Sequence, residues 1–244
     1  MDLETIRASI DRTVSENLSA CIALSDDFVD HPEVSEQEFR TSRMIVEFLR
    51  DKGFDVEYPA LGFDTAFFAS YGKGGHTHKA AILVEYDALP EIGHACGHAA
   101  SGMMSVLAAL SLKDLQDELD TDIHLVGTPA EETIFSKYQM VEDGFFDDYD
   151  FAIMIHLFSK SLVKVTALAM NAYTYTFHGR SAHAASAPWE GLNALNAIML
   201  MFQGIDMLRQ HVPPDVRMHG IITEGGPADA ESRGRRHRPP HGRL

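Results

Sequence analysis

The stretch AAILVEYDALPEIGHACGH, residues 80–98, decides how the rest of the sequence is interpreted. It begins with a run, 80–86, that is apolar except at Glu85, and such a run is typical of a strand buried on both faces. Asp87 follows this run directly, and a Cys/His segment, 94–98, then leads into residues with a helical pattern. Open α/β sheets place their sites at the carboxyl ends of strands, so the stretch predicts a buried strand with a candidate site beside it.

Patterns on either side of this strand predict the rest of the first layer. Apolar residues spaced by three and four predict an N-terminal helix that ends at His31-Pro32. Ser35 and Glu38 have the spacing of a capping box, which predicts the start of a second helix. The other predicted strands are 54–58, 66–70, 123–126 and 151–155, and the other predicted helices are 98–115 and 137–142. This alternation predicts an α/β fold with a largely parallel sheet and helices on both sides.

The sequence changes character after Ser161. Residues 162–177 are rich in Val, Thr and Tyr, which predicts antiparallel strands, and a helix over 190–210 and a strand over 220–223 follow. We therefore expect a second, smaller α+β unit that begins at residue 162. The last segment, 230–244, combines several Arg and Pro residues with almost no apolar side chain, which predicts a basic, disordered tail.

Composition limits the function classes. A chain of 244 residues that is 45% hydrophobic and 23% charged can bury a substantial core. Its net charge of −16 would repel nucleic acid and anionic lipid. Cysteines are too few for a disulfide framework, and no apolar stretch reaches the roughly 20 residues of a membrane span. We expect a cytoplasmic protein with neither a nucleic-acid nor a membrane partner.

Side chains that can bind a metal follow three of the predicted strands. Cys96 and His98 stand two residues apart, Glu131 and Glu132 are adjacent, and His156 closes the last apolar strand. Thiolate, imidazole and carboxylate ligands together suit Zn²⁺ or a related transition metal. Each group also has a structural interpretation by itself, such as a buried Cys, a solvated helix start or a hydrogen-bonded His. Their joint occurrence at three strand ends favours a metal site.

The adjacent carboxylates suggest a division of roles. Two desolvated carboxylates side by side need a cation or a proton between them. In a hydrolytic metal site, one Glu binds the metal while its neighbour accepts a proton from the attacking water. A separate candidate, His183, lies in a loop of small residues, 179–185. It could donate a hydrogen bond to an oxyanion, or it could be a surface His in a hairpin loop.

Taken in order, these motifs resemble those of the M20 metallopeptidase family. The similarity is to the branch of aminobenzoyl-glutamate hydrolases, indole-acetyl-amino-acid hydrolases and the related mammalian dipeptidase. The resemblance covers residues 1 to 229. The segments that carry it are 85–90, 94–98, 127–132, His156 and 179–185.

The resemblance implies a three-layer, zinc-peptidase-like catalytic domain with an inserted α+β lid domain that also forms a homodimer. Residues 1–161 would then be the N-terminal part of the catalytic domain, 162–229 a partial lid, and 230–244 an aberrant tail. It further implies a metal-dependent hydrolase that cleaves the amide bond of small N-acyl amino acids or dipeptides. The implied cofactor is a pair of divalent ions, with zinc favoured and manganese or cobalt as alternatives.

The resemblance also assigns roles to single residues. The implied metal ligands are Cys96, His98, Glu132 and His156. The implied catalytic residues are Glu131 as the general base, Asp87 as the carboxylate behind the metals, and His183 as a lid residue. In the family, this lid His reaches the partner subunit's site and stabilises the oxyanion.

The C-terminal end of this sequence departs from the pattern of the M20 family. Family members continue after the lid, complete the catalytic domain and supply a final His ligand. We therefore expect this chain to be a truncated, poorly folded and inactive form, with a shifted reading frame after Asp229. One alternative is a catalytically inactive remnant that dimerises or binds a ligand. Another, weaker one is a thiol peptidase with Cys96 as its nucleophile.

Overall fold

The structure is a computed structural model that describes residues 1–133, 136–163, 165 and 168–226. The chain divides into two compact units, the first from Met1 to Ser161 and the second from Leu162 onward. Their assignment as part of a catalytic domain and part of a lid stays a prediction. The tail predicted for 230–244 lies outside the described residues.

The first unit is built on a five-stranded mixed sheet with the order β1-β2-β4-β3-β5. The strands are β1 Asp55–Glu57, β2 Phe68–Ser70, β3 His78–Val84, β4 Thr121–Gly127 and β5 Phe151–Met154. Strand β3 pairs in parallel with β4 and β5, whereas β1 and β2 join the other edge in antiparallel pairs. The α/β class is therefore confirmed, but the parallel part of the sheet is limited to the three strands that carry the site.

Helices cover both faces of this sheet, as the sequence predicts. The helices of the first unit are α1 Leu3–Asp30, α2 Phe39–Asp51, α3 His98–Leu112, α4 Gln116–Leu119 and α5 Ser136–Glu142. Buried residues of α1, α2 and α3 form one apolar cluster against the sheet, and Met140 of α5 belongs to a second cluster with Ala66 and the strand residues Ala81 and Val126. Gly102 allows α3 to approach the sheet closely, because a Cβ there would lie 2.3 Å from the Glu85 carbonyl oxygen.

The predicted capping box before α2 is wrong. Glu38 is the N-cap residue of α2, but its side chain does not cap the helix; the Glu33 carboxylate instead accepts from the Arg40 and Thr41 backbone N–H groups. The Ser35 hydroxyl instead donates to Asp87 Oδ2 at 2.7 Å, and the Glu38 side chain is fully buried away from the helix end. Ser35 and Glu38 therefore both form hydrogen bonds with residues that are distant in sequence.

The long helix of the second unit is α6 Ala194–Leu208, with Asn193 as its N-cap. Short 3-10 turns lie at Pro188–Glu190 and Arg209–His211. The strands predicted over 162–177 and 220–223 are absent among the described residues of those ranges; the described pairing in this unit is a single bridge between Arg180 and Leu192. Val, Thr and Tyr favour strands only where a partner strand is present, which explains the difference.

Within the described ranges, none of the helices has both the length and the hydropathy needed to cross a bilayer.

Candidate metal and active site

The candidate site lies at the carboxyl ends of the three parallel strands. Because β3 lies between β4 and β5, the residues that follow these strands meet at one edge of the sheet. Ligand atoms of His98, Glu131 and Glu132 lie within 4.8 Å of one another, and so do those of His98, His156 and Glu85. His98 belongs to both groups, which makes it the centre of the site.

His98 is fixed by Asp87. Its Nδ1 atom lies 2.9 Å from Asp87 Oδ1 and 3.0 Å from the Asp87 carbonyl oxygen, and both side chains are about 1% exposed. Since both partners are acceptors, Nδ1 carries a proton, and in the neutral ring Nε2 then presents a lone pair to the site. A carboxylate that orients an imidazole in this way is the usual arrangement behind a metal ligand.

Asp87 is itself held in the charged form. Burial raises its pKa, but hydrogen bonds from His98, from the Glu132 backbone N–H and from Ser35 outweigh burial and lower the pKa below its ordinary value. The Glu132 N–H donates to Asp87 Oδ2 at 3.0 Å. Asp87 therefore connects the segment after β3 with the loop after β4.

The loop after β4 also depends on Glu38. The Ala130 N–H donates to Glu38 Oε1 at 2.8 Å, and the Thr65 hydroxyl donates to Glu38 Oε2 at 3.0 Å. Ala130 has a φ of 55°, an uncommon conformation for a residue with a Cβ. Glu38 thus stabilises the turn that directs Glu131 and Glu132 toward His98.

Replacing Glu38 by Ala is expected to destabilise the fold by about 2–4 kcal/mol, because it leaves two buried donors without an acceptor and removes packed volume. Chemical denaturation monitored by circular dichroism measures this loss. Glu47→Ala, at an exposed position of the same helix, is the matched control and should change stability little. Equal stability of the two variants would contradict the role assigned to Glu38.

The ionisation of Glu38 gives a pH dependence. Burial raises the pKa of Glu38 above its ordinary value of 4.5. The folded state therefore holds this proton to higher pH than the unfolded state does, so stability from this group is lost as pH rises through the raised pKa. Glu38→Gln carries no such charge, and its stability relative to the native protein should improve as pH rises from about 4.5 toward neutrality.

Glu131 and Glu132 occupy the two positions that the sequence predicts. Glu132 Oε1 lies 4.0 Å from His98 Nε2. Burial raises the pKa of Glu131, and the nearby Glu85 and Glu132 carboxylates add to this rise, while Lys137 opposes it. The Glu131 side chain is half-buried.

Cys96 is adjacent to the cluster but belongs to neither of the two metal-competent groups found among the described residues. A hydrogen bond to the Glu132 carboxylate, burial and the surrounding acidic residues raise the pKa of its thiol to about 12. Such surroundings do not activate a free thiolate nucleophile, which needs a neighbouring cation. They argue against the thiol-peptidase alternative.

His156 follows β5 and completes the three strand ends. Its Nδ1 atom lies 2.8 Å from the Leu157 carbonyl oxygen, its ring centroid is 5.5 Å from that of His98, and its side chain is 42% exposed. Gly97, with a φ of 84°, turns the chain from Cys96 into α3. A Cβ at Gly97 would lie 2.5 Å from Leu157 Cδ1, so a larger residue there would displace the segment beside His156.

His183 belongs to the second unit, where it is exposed and organises its own loop. The backbone N–H groups of Ala185 and Ser186 both donate to His183 Nδ1 at 3.2 Å. An Nδ1 atom that accepts hydrogen bonds carries no proton, so Nε2–H is the donor in this conformation.

The chain's residues fit a divalent metal. Nε2 of His98 and Oε2 of Glu85 are buried and have no hydrogen-bond partner among the described residues, which is rare for buried polar atoms. The donor set of imidazole, carboxylate and thiol matches the preferences of zinc and related ions.

A comparison with known families agrees with this geometry. The model of the family described as "Peptidase family M20/M25/M40" matches residues 70–218, which span β2 to the segment after α6. The chain belongs to this peptidase family. The resemblance noted in the sequence motifs is thereby confirmed.

Relatives of this M20 chain include a dipeptidase and a subunit of a hydrolase. It is 33% identical to the "Xaa-Arg dipeptidase" of Mus musculus over 92% of the chain and 55% of the relative. It is 30% identical to one of the subunits of the p-aminobenzoyl-glutamate hydrolase of Escherichia coli (strain K12), over 92% of the chain and 50% of the relative. The chain thus spans about half the length of these relatives.

Among solved structures, the fold is similar to that of a protein classed as an aminohydrolase from methicillin resistant Staphylococcus aureus. The TM-score is 0.63 at 21% identity, over 85% of this chain and 58% of that one. At this level of identity, the similarity shows a shared fold.

Sequence reasoning missed three residues of the site, namely Glu38, Glu85 and Lys137. Lys137 Nζ donates to Glu85 Oε1, which places α5 against the end of β3. Glu85 lies within the motif 85–90, so its position beside Asp87 was an available signal. Neither Glu38 nor Lys137 has a local signal, because the contacts of both depend on the tertiary fold.

Proposed function

We propose that this protein is a metal-dependent hydrolase that cleaves the amide bond of N-acyl amino acids or dipeptides. The observation that carries the proposal is the fixed His98 imidazole, whose Nε2 atom faces carboxylates from two further segments. The names of the relatives support the substrate class, since Xaa-Arg dipeptides and p-aminobenzoyl-glutamate both join an acyl group to an amino acid through an amide bond.

Cys96, His98, Glu132 and His156 would hold two divalent ions, with zinc favoured over manganese or cobalt. Ions of this kind polarise an amide carbonyl and lower the pKa of water. Asp87 keeps the His98 ring in the orientation that binding requires. The family resemblance implies these roles, and the donor types and the positions of the residues at the strand ends support them.

Glu131 is the proposed general base. Its half-buried carboxylate has a raised pKa, which suits a group that must accept and release a proton near neutral pH. It removes a proton from the attacking water and transfers it to the nitrogen of the leaving amine. Glu131 is thereby returned to its carboxylate form, and the products are a carboxylic acid and an amino acid.

The test of this function is hydrolysis of a small panel: an Xaa-Arg dipeptide, p-aminobenzoyl-glutamate and an N-acetyl amino acid. Activity should disappear on dialysis against a chelator and return with zinc, manganese or cobalt. Brief alkylation of the metal-loaded protein should leave it active. Activity that survives the chelator but not alkylation would favour a thiol peptidase and contradict the proposal.

Metal content gives a second, independent prediction. Cys96→Ala and Glu132→Ala should each lower the bound metal sharply, because each removes a ligand. Elemental analysis of the purified protein measures this directly. Cys21→Ala is the matched control, since Cys21 is a free cysteine of α1 that is buried in the core, and Glu142→Ala is an exposed carboxylate control on α5. Unchanged metal in both site variants would contradict the ligand set.

A further inference from the structure

Glu85 is a buried carboxylate of the site to which the predicted ligand set gives no role. It directly follows β3, and it is 2% exposed. Its Oε1 atom accepts a hydrogen bond from Lys137, whereas its Oε2 atom has no hydrogen-bond partner among the described residues. A carboxylate buried only to pair with a lysine would be expected to have both oxygen atoms satisfied.

The Nε2 atoms of two imidazole rings face this free oxygen, and in the neutral form of each ring described below Nε2 carries no proton. His98 donates its Nδ1–H to Asp87, and His156 lies with Nδ1 2.8 Å from the Leu157 carbonyl oxygen, which can only accept. In a neutral imidazole with its proton on Nδ1, the Nε2 atom has no proton and carries a lone pair. Both rings therefore present lone pairs toward Glu85.

Three lone pairs thus converge at one point of the site. Glu85 Oε2 lies 3.6 Å from His98 Nε2 and 3.9 Å from His156 Nε2, beyond hydrogen-bond distance. Lone pairs of this kind repel one another unless a cation is shared between them. Two ligands that each lie about 2.1 Å from a tetrahedral zinc ion are roughly 3.4 Å apart, which is close to the observed spacing.

We propose that Glu85 is a further metal ligand, acting with His98 and His156, and that Lys137 is the residue that positions it. Lys137 holds one carboxylate oxygen and leaves the other directed at the two rings. The inference rests on the metal site of the proposed function and adds a ligand to it.

Zinc titration of the full 244-residue chain by calorimetry, after removal of bound metal, tests the role of Glu85. Glu85→Gln keeps the size of the side chain, can still accept from Lys137, and offers an amide N–H to the imidazole lone pairs, so it should fold. The proposal expects the zinc Kd to rise at least about tenfold. Glu57→Gln, an exposed carboxylate on β1, is the matched control and should bind zinc as the native chain does.

Thermal unfolding of Lys137→Met tests the positioning role by a different readout. Without zinc, the Glu85 carboxylate loses its lysine partner and Tm should fall. With zinc, a Glu85 carboxylate that Lys137 no longer positions binds the ion less well, so the rise in Tm caused by zinc should be smaller than in the native chain. A merely structural lysine would cost the same Tm with and without zinc. Lys73→Met, at an exposed position, is the control.

The outcomes separate this inference from the proposed function. A native chain that binds no zinc overturns both. A native chain that binds zinc, together with a Glu85→Gln variant of unchanged Kd, overturns only the role of Glu85. If Glu85→Gln does not fold, the Lys137→Met comparison decides, and an equal zinc-induced rise in Tm overturns the proposal.

Discussion

Replacing Glu131 by Gln is expected to leave bound metal unchanged and to lower kcat by about 10²–10⁴-fold or more. Gln has the size of Glu but cannot accept a proton, so only the proton-transfer role is removed. Steady-state kinetics on the best substrate of the panel measures kcat, and elemental analysis of the same preparation measures metal.

The neighbouring residue provides the sharpest comparison. Glu132→Gln should lose metal as well as activity, because Glu132 is the proposed ligand, and its carboxylate lies 4.0 Å from His98 Nε2. Glu142→Gln, exposed on α5, should change neither quantity. Equal loss of metal in the Glu131 and Glu132 variants would contradict the proposed division of roles.

The pH profile of kcat gives a second view of Glu131. Burial raises the pKa of this carboxyl group above its ordinary value of 4.5. Only the ionised form accepts a proton, so activity should fall as pH decreases through the raised pKa. In Glu131→Gln, the residual activity should no longer show this acidic limb.

The strand-end residues could be predicted because they depend on a local pattern and one general rule. An apolar run followed by His98, Glu132 or His156 identifies a residue at the end of a strand. Parallel strands bring such ends together whatever their separation in sequence. The rule holds here because β4, β3 and β5 are adjacent and parallel. The strands β1 and β2 pair in antiparallel fashion and do not contribute to the site.

Residues whose role depends on distant partners could not be found in this way. The spacing of Ser35 and Glu38 is typical of a capping box, yet Glu38 accepts a hydrogen bond from Ala130, 92 positions away. Lys137 lies on a short helix where a solvated lysine is the ordinary expectation, and its contact with Glu85 exists only once α5 packs beside β3.

The second unit shows the limit of strand propensity. Residues 162–177 contain many β-branched and aromatic residues, but Val163, Tyr173 and Tyr175 are exposed in this unit. A strand is stabilised by pairing and by burial of one face, and single-residue preferences supply neither. The helix α6 was predictable because its apolar residues repeat with a helical period.

His183→Ala is expected to lower kcat on the order of 10²-fold or more without loss of metal, because a hydrogen-bond donor to the developing oxyanion is removed. The structure supports a donor role, since the loop N–H groups of Ala185 and Ser186 occupy Nδ1 and leave the proton on Nε2. His178→Ala, at an exposed His of the same unit, is the matched control. A kcat that falls equally in both variants would contradict the assignment.

We further propose that residues 162–229 form a homodimer in which His183 serves the partner subunit's site. Exposed apolar residues on α6, including Leu200 and Met207, are consistent with a surface that another chain covers. Mixing the His183→Ala and Glu131→Gln proteins tests the crossing. With free exchange, about half of the dimers are mixed and each has one complete site, so about a quarter of the native activity should return. If His183 acts within its own subunit, no mixed dimer contains a complete site. The activity of the mixture should then equal the residual activities that the two variants contribute when each is measured separately.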